Sequence, residues 1–431
     1  MVTALIGFVA LLALCFIGFR VGFATLIVGF VGFGLERGWH ASLGMVGQQI
    51  MEDSMNYNLS VIPLFILMGV FVYRSDVSSD LYDAAYAALG RFKGGLALAT
   101  VLACGGFSAV CGSTLATAAT MSKVAMPQMK AFNYSDKLAA GTIAAGGTLG
   151  IMIPPSVPLV IYGIIAEQDI GLLFMAGVLP GLLLVVLFLL AVSAVVYRDP
   201  SAAPPSDPLP PSRRKAAIRG TLPVLILFLV VLGGIYGGVF TATEASGIGA
   251  FGAAVIALSR GYLRKLYEWK ICLVETAITT SKIFIVLFGA VVFAQFINLS
   301  GLPYDILDFV EHHEMTALQL VGFIIAIAIV MGMVFESIGI LVLLVPVFLP
   351  TLFAAQVDMI WFGIIVVLVT EIGLITPPIG MNAFVVKSVL PEVKLGDIFC
   401  GVTPYLVALV IGLTLVFFLP GIATFLPDLM R

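Results

Sequence analysis

The residues with most chemistry to offer lie in two matched runs inside otherwise apolar stretches. They are Gly147-Thr148-Leu149-Gly150-Ile151-Met152-Ile153-Pro154-Pro155 and Thr370-Glu371-Ile372-Gly373-Leu374-Ile375-Thr376-Pro377-Pro378. A Gly-x-x-x-Pro-Pro run cannot continue a helix, because proline lacks the N–H and its ring clashes with the preceding turn. The residue before each proline is also pushed out of the α region. Each break therefore frees backbone groups, which at membrane depth must face protein, ions or a wet cavity. Two further runs, Ser108-Ala109-Val110-Cys111-Gly112-Ser113-Thr114 and Glu336-Ser337-Ile338-Gly339, add hydroxyl oxygens and glycine. Hydroxyls and freed carbonyls suit a hard cation such as Na⁺, helped by the partial negative charge of half-helix C-termini. Half-helix N-termini suit an anionic substrate group instead.

Two cation sites are expected from these runs. The first pairs Ser108, Gly112, Ser113 and Thr114 with Gly147, Gly150 and Pro154. The second pairs Glu336, Ser337 and Gly339 with Glu371, Gly373 and Pro377. Substrate contacts are expected at Thr148, Pro155, Thr376, Pro378 and Asn382. The competing explanation is that small and hydroxyl residues let membrane helices approach closely. Two tips beside two proline breaks favour the functional explanation. Glu336 and Glu371 are expensive to place in lipid and should face a cavity or a partner, ligating a cation or taking up a proton. Lys282 either attracts a carboxylate or snorkels to the interface. Glu244, in Gly237-Gly238-Val239-Phe240-Thr241-Ala242-Thr243-Glu244, reads as a helix-capping residue.

The elements that must position these groups are membrane helices. Apolar residues make up 61% of the 431 residues and charged residues 10%, far from the balance of a soluble domain. The net charge of −3 gives no argument for nucleic acid. Cys15, Cys104, Cys111, Cys272 and Cys400 show no CxxC spacing and read as packing residues. His40, His312 and His313 fall in short polar connections. Residues 1–19 lack a basic leader and read as the first helix rather than a signal peptide. No nucleotide-binding or hydrolase motif occurs, so an ion gradient is the natural energy source and an enzyme is not expected.

Apolar length predicts spans at about 3–19, 21–36, 57–73, 135–165, 169–197, 220–239, 243–259, 272–298, 358–388 and 402–425. Stretches 93–130 and 316–352 are too long for one straight crossing and read as re-entrant hairpins. Basic clusters at Arg198–Arg219 and Arg260–Lys270 fall on the cytoplasmic side by the positive-inside rule, which leaves both termini outside. Adding 223 to a residue number carries Pro127 to Pro350, Gly150 to Gly373 and Pro154-Pro155 to Pro377-Pro378. An odd number of crossings separates equivalent points, so the second unit is inverted. The expected fold class is an all-α polytopic membrane protein with an inverted repeat, about ten transmembrane helices and two re-entrant hairpins. Its parts are a first repeat (1–198), a Pro-rich cytoplasmic linker (199–219) and an inverted second repeat (220–431).

Five motifs carry a family resemblance. They are Ile62-Pro63-Leu64-Phe65-Ile66-Leu67-Met68-Gly69, Gly112-Ser113-Thr114, Thr148 to Ser156, Gly237 to Ala245, and Glu371 to Pro378. Over essentially its whole length the chain resembles the large membrane subunit of the tripartite ATP-independent periplasmic (TRAP) transporters. The resemblance implies an elevator-type fold of the ion transporter superfamily, with segments 93–165 and 316–388 sliding against the other helices. It implies coupling to Na⁺ and an organic-acid substrate. The implied partners are a small four-helix membrane subunit, here a separate polypeptide, and a periplasmic substrate-binding protein. The site is a bacterial inner membrane. Cys111 stands where the family commonly has serine. A stand-alone dicarboxylate symporter of the same superfamily, or a passive channel, are the alternatives.

Overall fold

The computed structural model describes residues 2–207 and 209–430, so the two chain ends and residue 208 of the expected linker lie outside the described residues. Among the described residues there are twenty α-helices, three short 3₁₀ helices and no strand. Among the described residues seven helices are long and apolar enough to cross a membrane, including Ile170–Arg198, Pro211–Tyr236, Leu266–Leu299 and Leu395–Phe418.

The hairpins form where the small-residue runs sit. Helix Gly95–Cys111 ends at Gly112, whose φ of +60° is open to glycine at little cost. Helix Thr114–Ala131 then starts at once, capped by the Ser113 hydroxyl, which accepts from the Ala116 N–H at 3.4 Å. The second hairpin joins Ala317–Gly332 to Ser337–Ala354. Each hairpin is followed by a broken helix. The first comprises Asp136–Thr148, a 3₁₀ turn and Val157–Ile165; the second comprises Met359–Ile375 and Met381–Val389. The 223-residue offset carries Thr114–Ala131 onto 337–354, the bounds observed for the later helix.

Packing between the broken helices fixes their relative position. The buried Tyr162 hydroxyl donates to the Met359 carbonyl at 2.6 Å, and its ring lies 6.2 Å from that of Phe362. Helix Asp136–Thr148 crosses Leu395–Phe418 at Gly141 and Gly401, where backbone meets backbone and a side chain on either glycine would overlap the other chain. The Thr142 and Tyr405 hydroxyls bond at 2.6 Å beside this crossing.

Several elements differ from the sequence expectation. Helix Pro211–Tyr236 begins inside the stretch read as linker, because proline at the first helical position is already set for the helix. The last span closes at Phe418, and a separate helix, Gly421–Met430, follows. Leu419 precedes Pro420 and leaves the helical region, with φ −124° and ψ 73°. Helix Trp39–Ser54 was outside the expected spans; Gln48, Gln49, Glu52 and Asp53 break its apolar run.

Candidate functional site

The first tip and the first break touch through glycines. A Cβ at Gly112 would lie 2.8 Å from the Pro155 carbonyl oxygen. One at Gly150 would lie 3.1 Å from the Ser113 carbonyl carbon and oxygen. At Gly147 a Cβ would meet Asn382 Nδ2 and the Thr114 carbonyl oxygen, each at 3.2 Å. Glycine lets the backbones of tip and first break meet at Gly112 and Gly150, and at Gly147 it leaves room for the Ala118 and Asn382 side chains beside the Thr114 carbonyl. Asn382 seals the junction, its Nδ2 donating to the Ala144 carbonyl at 3.1 Å.

Ser108 was expected at the tip; the structure places it in the helix, one turn before Gly112, with its hydroxyl buried. Thr148 is buried and spends its hydroxyl on the Ala145 carbonyl at 2.8 Å. Pro154 and Pro155 are buried, whereas Pro377 and Pro378 are exposed. Thr376 donates to the Ile372 carbonyl at 2.5 Å. Gly373 packs against Gly332, at the end of the helix leading into the second tip. Glu371 lies inside the helix before the second break and is fully buried. Asn382 reaches the first broken helix, and among the described residues it makes no hydrogen bond to the second tip.

Several oxygens lack a partner where water cannot reach them: Ser108 Oγ, both Glu371 carboxylate oxygens and Asn382 Oδ1. Leaving a buried acceptor unmade costs about 1–3 kcal/mol, and more when it is charged. A small oxygen-seeking cation is the kind of group that would satisfy them. Among the described residues no three His, Cys, Asp or Glu gather, so donors to such a cation would be hydroxyls, amides and carbonyls.

The two tips wall one cavity of about 570 Å³. Gly112, Ser113 and Thr114 line one side, and Glu336, Ser337 and Gly339 another. Helix Leu266–Leu299 supplies Glu275, Thr279 and Lys282. Two long helices, Thr114–Ala131 and Ser337–Ala354, begin at this cavity. Their N-termini carry partial positive charge and Lys282 adds a full one, facing the carboxylates of Glu275 and Glu336 in the same walls, so the cavity offers groups for an anion and for a cation side by side. Glu275, Thr279 and Lys282 recur at helical spacing in an apolar helix; that was the available signal for a lined path, and only Lys282 was singled out from it.

The Alcanivorax borkumensis YdaH transporter, a solved structure, superposes with a TM-score of 0.63 over 88% of each chain. Its identity is 15%, so it speaks to fold alone. Among curated relatives, the C4-dicarboxylate TRAP transporter large permease protein DctM of Pseudomonas aeruginosa is 34% identical over 380 residues, 88% of each chain. The ectoine TRAP transporter large permease protein TeaC of Halomonas elongata is 31% identical over 97% of each. The sialic acid TRAP transporter large permease protein SiaM of Vibrio cholerae is 30% identical over 100% of this chain and 99% of the relative. The family description "Tripartite ATP-independent periplasmic transporter, DctM component" matches residues 6–422. With its paired broken helices and apolar spans, this multi-pass membrane chain belongs to the TRAP transporter family, as a large permease subunit.

Proposed function

We propose that this chain is the Na⁺-coupled permease of an importer for small carboxylate-bearing solutes. The observation that carries the reading is the shared cavity, in which two helix N-termini and Lys282 meet Glu275 and Glu336, with the unpartnered oxygens of Ser108, Glu371 and Asn382 flanking the first tip and the second break. Cations would sit between tip and break: the first among Ser108, Gly112, Ser113, Thr114, Gly147, Gly150 and Pro154, the second among Glu336, Ser337, Gly339, Glu371, Gly373 and Pro377. The substrate carboxylate would sit between the tips, within reach of Lys282, with Asn382 and Thr148 holding the wall behind it. C4-dicarboxylate, ectoine and sialic acid, named for the relatives, all carry a carboxylate.

In this reading the two repeats are inverted, hairpins and broken helices (93–165 and 316–388) travel as one body against the remaining helices, and both termini face the periplasm across a bacterial inner membrane. The matching element bounds under the 223-residue offset support the repeat. A small membrane subunit and a periplasmic binding protein are the expected partners, in keeping with the tripartite character of the family. The test is uptake of a solute panel into proteoliposomes containing this chain and its small subunit, with the binding protein and an inward Na⁺ gradient each present or withheld. Uptake that needs both supports the reading. Uptake without the binding protein points to a stand-alone symporter, and uptake indifferent to Na⁺ removes the ion sites.

A further inference from the structure

A second cavity, of about 490 Å³, lies next to the first and is lined by Tyr262, Leu263 and the first two turns of helix Leu266–Leu299. The two share Tyr73 and Thr120 as lining residues. Three helices thread from one to the other on continuous faces. On Leu266–Leu299, Glu268, Ile271 and Cys272 line the outer cavity, and Glu275, Thr279 and Lys282 the inner one. Spacings of three and four residues put all of these on one helix face. From Glu268 to Val286, which also lines the inner cavity, the stripe is about 27 Å long at 1.5 Å per residue, most of a bilayer's hydrocarbon thickness.

At the junction Arg74 lines the outer cavity and Glu275 the inner one. They are ion-paired across it: Arg74 Nη2 and Nε donate to the same carboxylate oxygen, Oε2, at 2.6 and 3.1 Å. Both side chains are about two-fifths exposed (39% and 38%), so the pair is wet enough to exchange partners. The outer cavity otherwise carries Lys123 against Asp76 and Glu268, so Arg74 is a cation whose counter-ion belongs to the inner chamber.

We propose that the Arg74–Glu275 pair is the inner gate of the route, and that a departing carboxylate passes by displacing Glu275 from Arg74. Resting on the import reading for its direction, the gate gives the exit a preference for anions: a solute with a carboxylate can replace Glu275, and a neutral one cannot. Arg74 and Glu275 act on the route and are not assigned to the ion sites.

The test is thiol labelling at Thr279→Cys, one turn inside the gate, in a background whose five native cysteines are replaced. Inside-out vesicles are treated with a negatively charged sulfonatoethyl or a positively charged trimethylammonioethyl methanethiosulfonate, with no solute or Na⁺ gradient. Glu275→Gln is expected to speed labelling about fivefold, the factor matching a half-exposed pair, and to favour the negative reagent. Arg74→Gln is expected to speed it similarly but favour the positive reagent. The charge swap Arg74→Glu with Glu275→Arg is expected to return the rate toward the parent. Unchanged rates in both single variants, equal gains for the two reagents, or a swap as fast as the singles would overturn the gate. Because labelling uses neither solute nor Na⁺, a failed gate leaves the import reading standing, and a failed import assay leaves the gate standing.

Discussion

Replacing Gly112 by alanine tests whether tip and break form one ion site. Gly112 holds φ at +60°, where an L-residue pays roughly 1–2 kcal/mol. The new Cβ would also lie 2.8 Å from the Pro155 carbonyl oxygen, about 0.6 Å inside ordinary contact, and that oxygen is backbone in a packed break. The tip must therefore retreat from the break, carrying the Ser113 and Thr114 oxygens away from any shared ion. If ion binding requires the observed approach, the strain appears in the ion equilibrium, and 1–2 kcal/mol is roughly a 5–30-fold rise in the Na⁺ concentration for half-maximal uptake. Initial uptake rates against Na⁺ concentration in proteoliposomes read this directly. Gly106→Ala is the control in the same helix: its Cβ would meet Leu81 Cδ2 at 3.5 Å, an ordinary contact, and alanine suits a helix interior better than glycine. An unshifted Na⁺ dependence in Gly112→Ala, or an equal shift in Gly106→Ala, refutes the reasoning.

Other expectations follow from single groups. Glu371→Gln should remove the second site's share of the Na⁺-dependent rise in Tm, about 2.7 kcal/mol of stabilisation for an ion at a hundred times its Kd, and leave the first site's share; a full rise in the variant excludes Glu371 from the ion set. Asn382→Ala breaks the bond to the Ala144 carbonyl, so it should lower stability by about 1 kcal/mol and weaken Na⁺ and solute dependence together, measured by thermal unfolding and uptake. At the surface, the hydrogen bond from Lys130 to Glu392 at 2.6 Å holds the Glu392 carboxyl below its ordinary value. A lowered folded pKa gives stability that is present above the unfolded pKa, near 4.5, and is lost as pH falls through the folded value. Glu392→Gln should therefore remove that small stabilisation at neutral pH, leave stability below the folded pKa unchanged, and so flatten the acid limb of a stability–pH curve.

The sequence was most legible where one residue type dictates backbone. Pro154-Pro155 and Pro377-Pro378 located both helix breaks, and Gly112 with Ser113 located the first tip. Ser108 was drawn into that tip because a run of small residues does not say which one turns the chain; only Gly112 takes the left-handed conformation there. The last span was carried past Phe418 because hydropathy outweighed the restriction that Pro420 places on Leu419. Long-range pairings were invisible. Arg74 and Glu275 are 201 residues apart, and Asn382 and Ala144 are 238 apart, so neither contact leaves a local pattern. The cavity belongs to this second kind, since its walls come from helices whose adjacency only packing decides.

The central claim is that ions held at the two breaks drive the solute. The most direct measurement is radiolabelled Na⁺ influx and solute influx in the same proteoliposomes, with the small subunit and binding protein present. The account predicts that adding solute-loaded binding protein starts Na⁺ influx in fixed proportion to solute, and that Gly112→Ala and Glu371→Gln depress both fluxes together. Solute influx at the wild-type rate with no accompanying Na⁺ would contradict it.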